Sequence, residues 1–257
     1  MSYNVNVILK KYNAVIKKKF GQNFLTSPIL LSQIANVSAI NGKEILEIGA
    51  GPGGLTSAIL QEKPSKLISI EIDKDYYEIL QKEFGEYKNF EVINADAVKI
   101  NEKEYFDKKI NVIANLPYNV GTHLLLKWLN KIDDFESFTL LLQKEVVERI
   151  IAKPCTKEYG YLSVITQALT DAKKMFDVKP TNFIPPPNVM SSVVHLIPKK
   201  NDINVKRLTK ITTTLFAKRR KKIKNAMESL NLKCDFIDVN KRAEEISVEE
   251  YIKLSCF

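Results

Sequence analysis

The residues of this sequence that point most directly to chemistry are Asn115-Leu116-Pro117-Tyr118. They follow the apolar run Ile110-Asn111-Val112-Ile113-Ala114, which reads as a buried strand. A carboxamide, a proline-fixed backbone and an aromatic ring therefore meet at a strand end. That set suits methylation of an amino group on a planar base. The exocyclic amine of adenine is a poor nucleophile, because its lone pair is delocalised into the ring. Acceptors aimed at its N–H groups return electron density to the nitrogen. The Asn115 carboxamide oxygen and a backbone carbonyl beside Pro117 are such acceptors, and proline, with no N–H and a fixed φ, holds the carbonyl in place. Tyr118 offers a face on which the base can stack. An isolated Asn-x-Pro is an ordinary proline turn, so the chemical reading rests on what lies upstream.

Upstream, short β-rich runs alternate with helical patterns. The strands expected are Glu44–Ile48, Leu67–Glu71, Phe90–Asn94, Ile110–Ala114 and Phe138–Gln143, with helices near Gly53–Gln61, Lys74–Phe84 and Thr122–Leu129. Such alternation predicts a mostly parallel sheet covered on both faces. Further on, Lys173–Val178 and Ser192–Ile197 read as a strand pair around Phe183-Ile184-Pro185-Pro186-Pro187, and the chain from Lys199 onward is helical and basic. Ser247 with Glu250 is a capping-box start for a last helix. A boundary near Pro198 divides a catalytic α/β domain (residues 1–198, with 1–19 a basic N-terminal extension) from a small helical domain (199–257).

The first strand runs into Glu47-Ile48-Gly49-Ala50-Gly51-Pro52-Gly53-Gly54. Glycines at a strand–helix junction let a ligand approach the backbone beneath a helix N-terminus. The spacing Gly49-x-Gly51-x-x-Gly54, with Glu71 about 20 residues on, is also that of the dinucleotide fingerprint, so an NAD-dependent oxidoreductase is a rival. Three features favour S-adenosylmethionine. Glu47 puts a carboxylate beside the loop, which repels a pyrophosphate and tolerates a cationic cofactor. Asp96 follows the third strand, placed to accept from an adenine amino group. Asn115 ends the fourth strand at the same sheet edge. Singly, these residues are a solvated strand position, a helix N-cap and a turn; at successive strand ends they form a site.

Composition narrows the setting. Cys155, Cys234 and Cys256 are too scattered for a disulfide framework or a zinc site, and no metal is expected. No segment has the apolar length of a membrane span or the apolar core of a signal peptide, and the early lysines come without the arginines of a transit peptide. A cytoplasmic protein is expected. Residues 1–43 carry six Lys and no acid, residues 199–257 fifteen Lys/Arg against eight Asp/Glu, and the middle eighteen against twenty-two, so two basic ends flank an acidic middle. Scattered lysines are ordinarily a solvated surface, but the run Lys218-Arg219-Arg220-Lys221-Lys222 reads as a contact for a polyanion.

From about Lys19 to its end the sequence resembles the rRNA adenine dimethyltransferase family, of the KsgA type. The resemblance is carried by Phe20-Gly21-Gln22-Asn23-Phe24-Leu25, the glycine loop, Glu71, Asp96 and Asn115-Leu116-Pro117-Tyr118. It continues through Gln143-Lys144-Glu145, Tyr159-Gly160-x-Leu162-Ser163-Val164, Phe183-x-Pro185-Pro186-Pro187, Ser191-Ser192-Val193-Val194 and Phe216-x-x-Arg219-Arg220-Lys221. Taken together these motifs are highly specific, though each alone is weak. The resemblance implies a Rossmann-like S-adenosylmethionine-dependent methyltransferase domain with a seven-stranded sheet. It implies dimethylation of two adjacent adenosines near the 3′ end of small-subunit rRNA during ribosome assembly, leaving S-adenosylhomocysteine. By the same likeness Gln22, Asn23, Leu25, Gly49, Gly51, Glu71, Ile72, Asp96, Ala97 and Asn115 are expected to bind cofactor. Asn115, Leu116, Pro117 and Tyr118 are expected to act on the base, with Phe183 as a second stacking ring, and Phe216–Lys221 as a basic helix on RNA; a monomer is expected. The sequence departs from the family at Pro154-Cys155-Thr156, where Pro-Gly-Ser is usual. An Erm-type enzyme acting on large-subunit rRNA would have the same pocket, and a non-catalytic nucleic-acid-binding relative is a third reading.

Overall fold

The computed structural model of the chain describes residues 3–117, 120–200 and 202–257. Its elements in chain order are α1 Val5–Lys11, β1 Phe24–Leu25, α2 Pro28–Ala35, β2 Glu44–Ile48, α3 Gly54–Gln61, β3 Lys66–Glu71, α4 Lys74–Phe84 and β4 Phe90–Asn94. Then come β5 Ile110–Asn115, α5 Gly121–Leu129, β6 Phe135–Gln143, α6 Lys144–Ile150, α7 Tyr161–Leu169, β7 Thr170–Val178, β8 Phe183–Ile184 and β9 Ser191–Pro198. Helices α8 Val205–Phe216, α9 Lys224–Ser229 and α10 Val248–Ser255 complete the chain.

Seven strands form one sheet in the order β4-β3-β2-β5-β6-β9-β7. Strand β2 pairs in parallel with β3 and β5, β3 with β4, and β5 with β6, whereas β9 runs antiparallel to β6. All of β2 is buried, as is β5 up to Asn115, and strands covered on both faces read as unbroken apolar runs for that reason. From β2 the chain steps outward to β3 and β4, then returns to the other side of β2 as β5. This reversal leaves a crevice beyond the carboxyl ends of β2 and β5. Ile48 lies opposite Ala114, so the next residues, Gly49 and Asn115, stand at its mouth. The mostly parallel sheet expected from the alternation, and the Rossmann-like seven-stranded fold that the resemblance implies, are observed.

Other features depended on contacts distant in sequence. Helix α1 packs Val5 and Ile8 into the core that holds Leu31, Leu55 and Phe84, and the Tyr3 hydroxyl donates to the Pro52 carbonyl at 2.7 Å. Strand β8 does not form a turn tip. It pairs antiparallel with β1, Leu25 opposite Phe183, as a separate two-stranded sheet.

The chain divides into two compact units, Met1–Lys144 with Lys174–Leu196, and Glu145–Lys173 with Ile197–Phe257. The last crossing falls between Leu196 and Ile197, and Glu145–Lys173, read from the sequence as part of the catalytic domain, groups with the C-terminal helices. Helix α7 buries Val164 and Ala168 in one core with Leu208 and Leu215 of α8 and Tyr251 and Leu254 of α10. Tyr159 anchors the same unit, its hydroxyl donating to the Ile246 carbonyl at 2.9 Å. The capping box of α10 forms as expected: the Ser247 N–H donates to Glu250 Oε2 at 2.7 Å, and the Glu250 N–H to Ser247 Oγ at 3.2 Å.

Candidate active site

The glycine loop is shaped by one carboxylate. Glu71, at the end of β3 and 4% exposed, accepts the Gly51 N–H on Oε2 at 2.8 Å and the Asp73 N–H on Oε1 at 2.9 Å. Burial pushes its carboxyl above the usual range, and those two N–H groups work against the rise. Gly51 has φ +53°, and a Cβ there would lie 2.5 Å from the Phe24 ring; only glycine fits. Each Glu71 oxygen keeps a lone pair for a further donor such as a ribose hydroxyl.

Two adjoining cavities share Phe20, Gly49, Ile72 and Pro117. The first is also lined by Gln22, Asn23, Glu71, Asn115 and Leu116. The second is a mostly apolar slot lined by Ile48, Ile70, Val98, Val120 and Leu124 together with Lys19, Asp96 and Ala97. Asp96 Oδ1 accepts the Val98 N–H at 3.0 Å, so it caps a turn and lines the slot together. The structure thus gathers Gln22, Asn23, Gly49, Glu71, Ile72, Asp96, Ala97, Asn115, Leu116 and Pro117 at one crevice. Leu25 lies behind the glycine loop in a smaller hollow, and Gly51 acts through Glu71.

At the reactive end, Asn115 Nδ2 donates to the Asn23 carbonyl at 3.0 Å. This commits the amide nitrogen, and among the described residues no donor reaches Oδ1, which is left as an acceptor in the cavity wall. The Pro117 carbonyl is taken by the N–H groups of Val120 and Gly121, at 3.1 and 3.0 Å. Among the described residues no donor reaches the Leu116 carbonyl. The carbonyl beside Pro117 available to an incoming amine is therefore that of Leu116.

Several expectations are amended. Tyr118 lies outside the described residues. Phe183 is 2% exposed and lines neither cavity, because its pairing with Leu25 draws the ring into the core. Phe20 is the aromatic side chain at the junction of the cavities; its place in the motif was legible, its position was not. Gln22 is held at both ends, Nε2 donating to Asp73 Oδ2 at 2.9 Å and Oε1 accepting the Lys17 N–H at 2.7 Å. Lys17 Nζ also reaches Asp73 and Asp75, each at 2.7 Å, so this latch pins the 17–23 segment over the crevice. Glu47 lines neither cavity. It is enclosed behind the loop, Oε2 accepting the hydroxyls of Thr56 and Ser69 at 2.7 and 2.6 Å, while Oε1 has no partner among the described residues. Burial pushes its carboxyl up to about 7, against the pull of those hydroxyls.

The family described as "Ribosomal RNA adenine dimethylase" matches residues 13–256. The chain belongs to this family. Among its curated relatives, "Ribosomal RNA small subunit methyltransferase A" of Wolbachia sp. subsp. Drosophila simulans is 38% identical, covering 96% of this chain and 95% of that protein. The protein of the same name in Ehrlichia chaffeensis is 39% identical over 93% and 95%. A dimethyladenosine transferase from Plasmodium falciparum has a TM-score of 0.77 at 26% identity, over 90% and 95% of the two chains. The 23S rRNA methyltransferase ErmE shares the fold, with a TM-score of 0.64 at 20% identity.

As a ribosomal RNA adenine dimethylase, the protein is an enzyme that uses S-adenosylmethionine. The crevice fits that donor. Lys and Arg are absent from the lining of the first cavity, and Glu71 is its acid, an environment that opposes a pyrophosphate and suits a sulfonium. The donor supplies a methyl group on a cationic sulfur, whose charge is neutralised on transfer. Glu71 and the glycine backbone would hold the ribose side of that donor, and Asp96 with the apolar slot its base. Asn115 Oδ1 and the Leu116 carbonyl would draw on the N–H groups of a target amine placed there. Among the described residues no cluster of three His, Cys, Asp or Glu side chains forms a metal site.

In the second unit the basic run is not a helix. α8 ends at Phe216, and residues 217–223 turn back to a bridge between Lys222 and Arg242, anchored by buried Ile223. Arg219 is spent on structure: Nε donates to Glu244 Oε2 at 2.5 Å and Nη2 to the Thr156 carbonyl at 3.0 Å. Lys218, Arg220, Lys221 and Lys222 are exposed, Lys222 reaching Asn240 Oδ1 at 3.0 Å. Cys155, where the family usually has glycine, has φ +65°, and its N–H donates to the Glu244 carbonyl at 2.8 Å. The loop keeps a glycine conformation without the glycine.

Proposed function

We propose that this protein transfers methyl groups from S-adenosylmethionine to N6 of two adjacent adenosines near the 3′ end of small-subunit rRNA. It acts on an immature small subunit during ribosome biogenesis, as a cytoplasmic monomer. The free Asn115 Oδ1 carries the chemical part of this reading. Locked by the Asn23 carbonyl, it is an acceptor placed in advance, which lowers the barrier without reorganisation at the moment of transfer. Two transfers to one nitrogen fit the same geometry, since one N–H remains to be polarised in the second. The names of the curated relatives support the small-subunit target.

The target base must leave its stack to reach the crevice, at a cost of a few kcal/mol that roughly 1–3 kcal/mol of stacking per aromatic contact offsets. The exposed Lys218, Arg220, Lys221 and Lys222 would grip phosphates, while Arg219 holds the loop that presents them. Incubation with labelled S-adenosylmethionine and immature small subunits, followed by mapping of the label, tests the proposal. Two adjacent dimethylated adenosines near the 3′ end are expected. Label incorporated only when large subunits are supplied in a parallel incubation would overturn the choice of target.

A further inference from the structure

Helix α5 grips the 97–102 segment at several points. The Lys127 ammonium has three N–H donors and uses all of them: on the Ala97 carbonyl at 2.8 Å, the Ile100 carbonyl at 2.6 Å and Glu102 Oε1 at 2.8 Å. Glu102 is 2% and Lys127 18% exposed. Trp128 Nε1 donates to the same Glu102 oxygen at 2.6 Å, and Lys131 Nζ reaches Asn101 Oδ1 at 2.9 Å. Among the described residues no other donor serves the Ala97 or Ile100 carbonyl. The turn's own bonds, from the N–H groups of Val98 and Lys99 to Asp96, shape it without tying it to the sheet.

Ala97 and its neighbours Asp96 and Val98 line the apolar slot, and so do Val120 and Leu124. Leu124 belongs to α5 and Val120 directly precedes it. The helix that supplies part of the lining therefore holds another part of it, residues 96–98, through a half-buried ammonium. A buried ion pair by itself is weak evidence of anything beyond packing. Here two of the three acceptors are backbone carbonyls of a wall segment, so loss of the ammonium frees the wall as well as the charge. We infer that Lys127 is a positioning residue for the methyl donor, setting the width of the slot that takes its adenine end. The inference rests on the donor site described above.

The test is calorimetric titration of S-adenosylhomocysteine into the full chain, with hydrogen exchange of residues 97–101 alongside. Lys127→Met is expected to bind about tenfold more weakly, as for loss of a charge-assisted contact, with faster exchange across 97–101. Its single-turnover rate at saturating donor should stay within about threefold of the parent, because the reactive end is untouched. Lys131→Ala, which removes an exposed contact to the same 97–102 segment, should bind like the parent, and Lys127→Arg should recover part of the affinity. A Lys127→Met protein with a lowered melting temperature but parental affinity would show a merely structural ammonium and sink the inference. If that variant does not fold, Glu102→Gln keeps the carbonyl contacts but removes the charge anchoring them. Weaker binding there supports the inference, and unchanged binding overturns it. Failure of the parent chain to bind would instead reject the donor site, and the inference with it.

Discussion

Asn115 illustrates how a single bond fixes a chemical role. Its amide could turn either face to the cavity, and the Asn23 carbonyl decides which by accepting from Nδ2. Asn115→Ala is expected to lower single-turnover methyl transfer by about 10²-fold or more, as for removal of one preorganised polar group, with donor affinity changed far less. Near-parental turnover would contradict the role. Glu47 shows a different residue-scale effect. Its folded carboxyl titrates at about 7 against 4.5 unfolded. Below pH 4.5 both states hold the proton. As the pH rises towards 7 the unfolded chain releases it first, so stability falls across that window and levels off above. The loss is roughly 3 kcal/mol at most. Glu71, raised in the same direction, adds to the slope. Urea denaturation at pH 5 and pH 8 should show a smaller difference for Glu47→Gln than for the parent.

At the scale of elements, the β1–β8 pair places Phe183 where an exposed stacking ring was expected. Its burial beside Leu25 makes it a core residue of the first unit. Phe183→Ala should therefore cost about 3–5 kcal/mol of stability, read as a fall in melting temperature in the absence of any RNA. A variant as stable as the parent but poor in turnover would return Phe183 to the surface role. The 154–156 loop makes a complementary case. Cys155 occupies the left-handed region, which costs a side-chain-bearing residue roughly 1–2 kcal/mol. Cys155→Gly should stabilise the second unit by up to about that amount, less the added freedom of the unfolded chain. Destabilisation in a thermal melt would mean that the thiol makes a contact worth more than the strain.

For the whole molecule, charge governs association with a polyanion. With about six phosphate contacts, RNA affinity should fall on the order of 10³ between 50 and 200 mM salt. Replacing Lys218, Arg220 and Lys221 together by Gln should reduce the salt slope by about 2–3 and leave binding of S-adenosylhomocysteine as it was. A slope that does not change would place the RNA contacts elsewhere. Arg219 is excluded from that set, because its guanidinium already bonds Glu244 and Thr156, and its loss would unsettle the loop rather than one phosphate.

What sequence alone determined was whatever is local or periodic. The apolar runs of β2, β3 and β5, the glycines of the loop, Glu71 at its offset and the α10 capping box could all be read from near neighbours along the chain. Strand-end position brought Asp96 and Asn115 to the same edge, since parallel strands end on one side. The tertiary structure alone decided matters that depend on distant partners. It sent Glu47 behind the loop to Thr56 and Ser69, drew Phe183 inward against Leu25, turned the basic run out of helix, and gathered α7 with α8 and α10. An amphipathic face states that it must be buried but not against what, and a polar side chain states that it can bond but not which partner will be in reach.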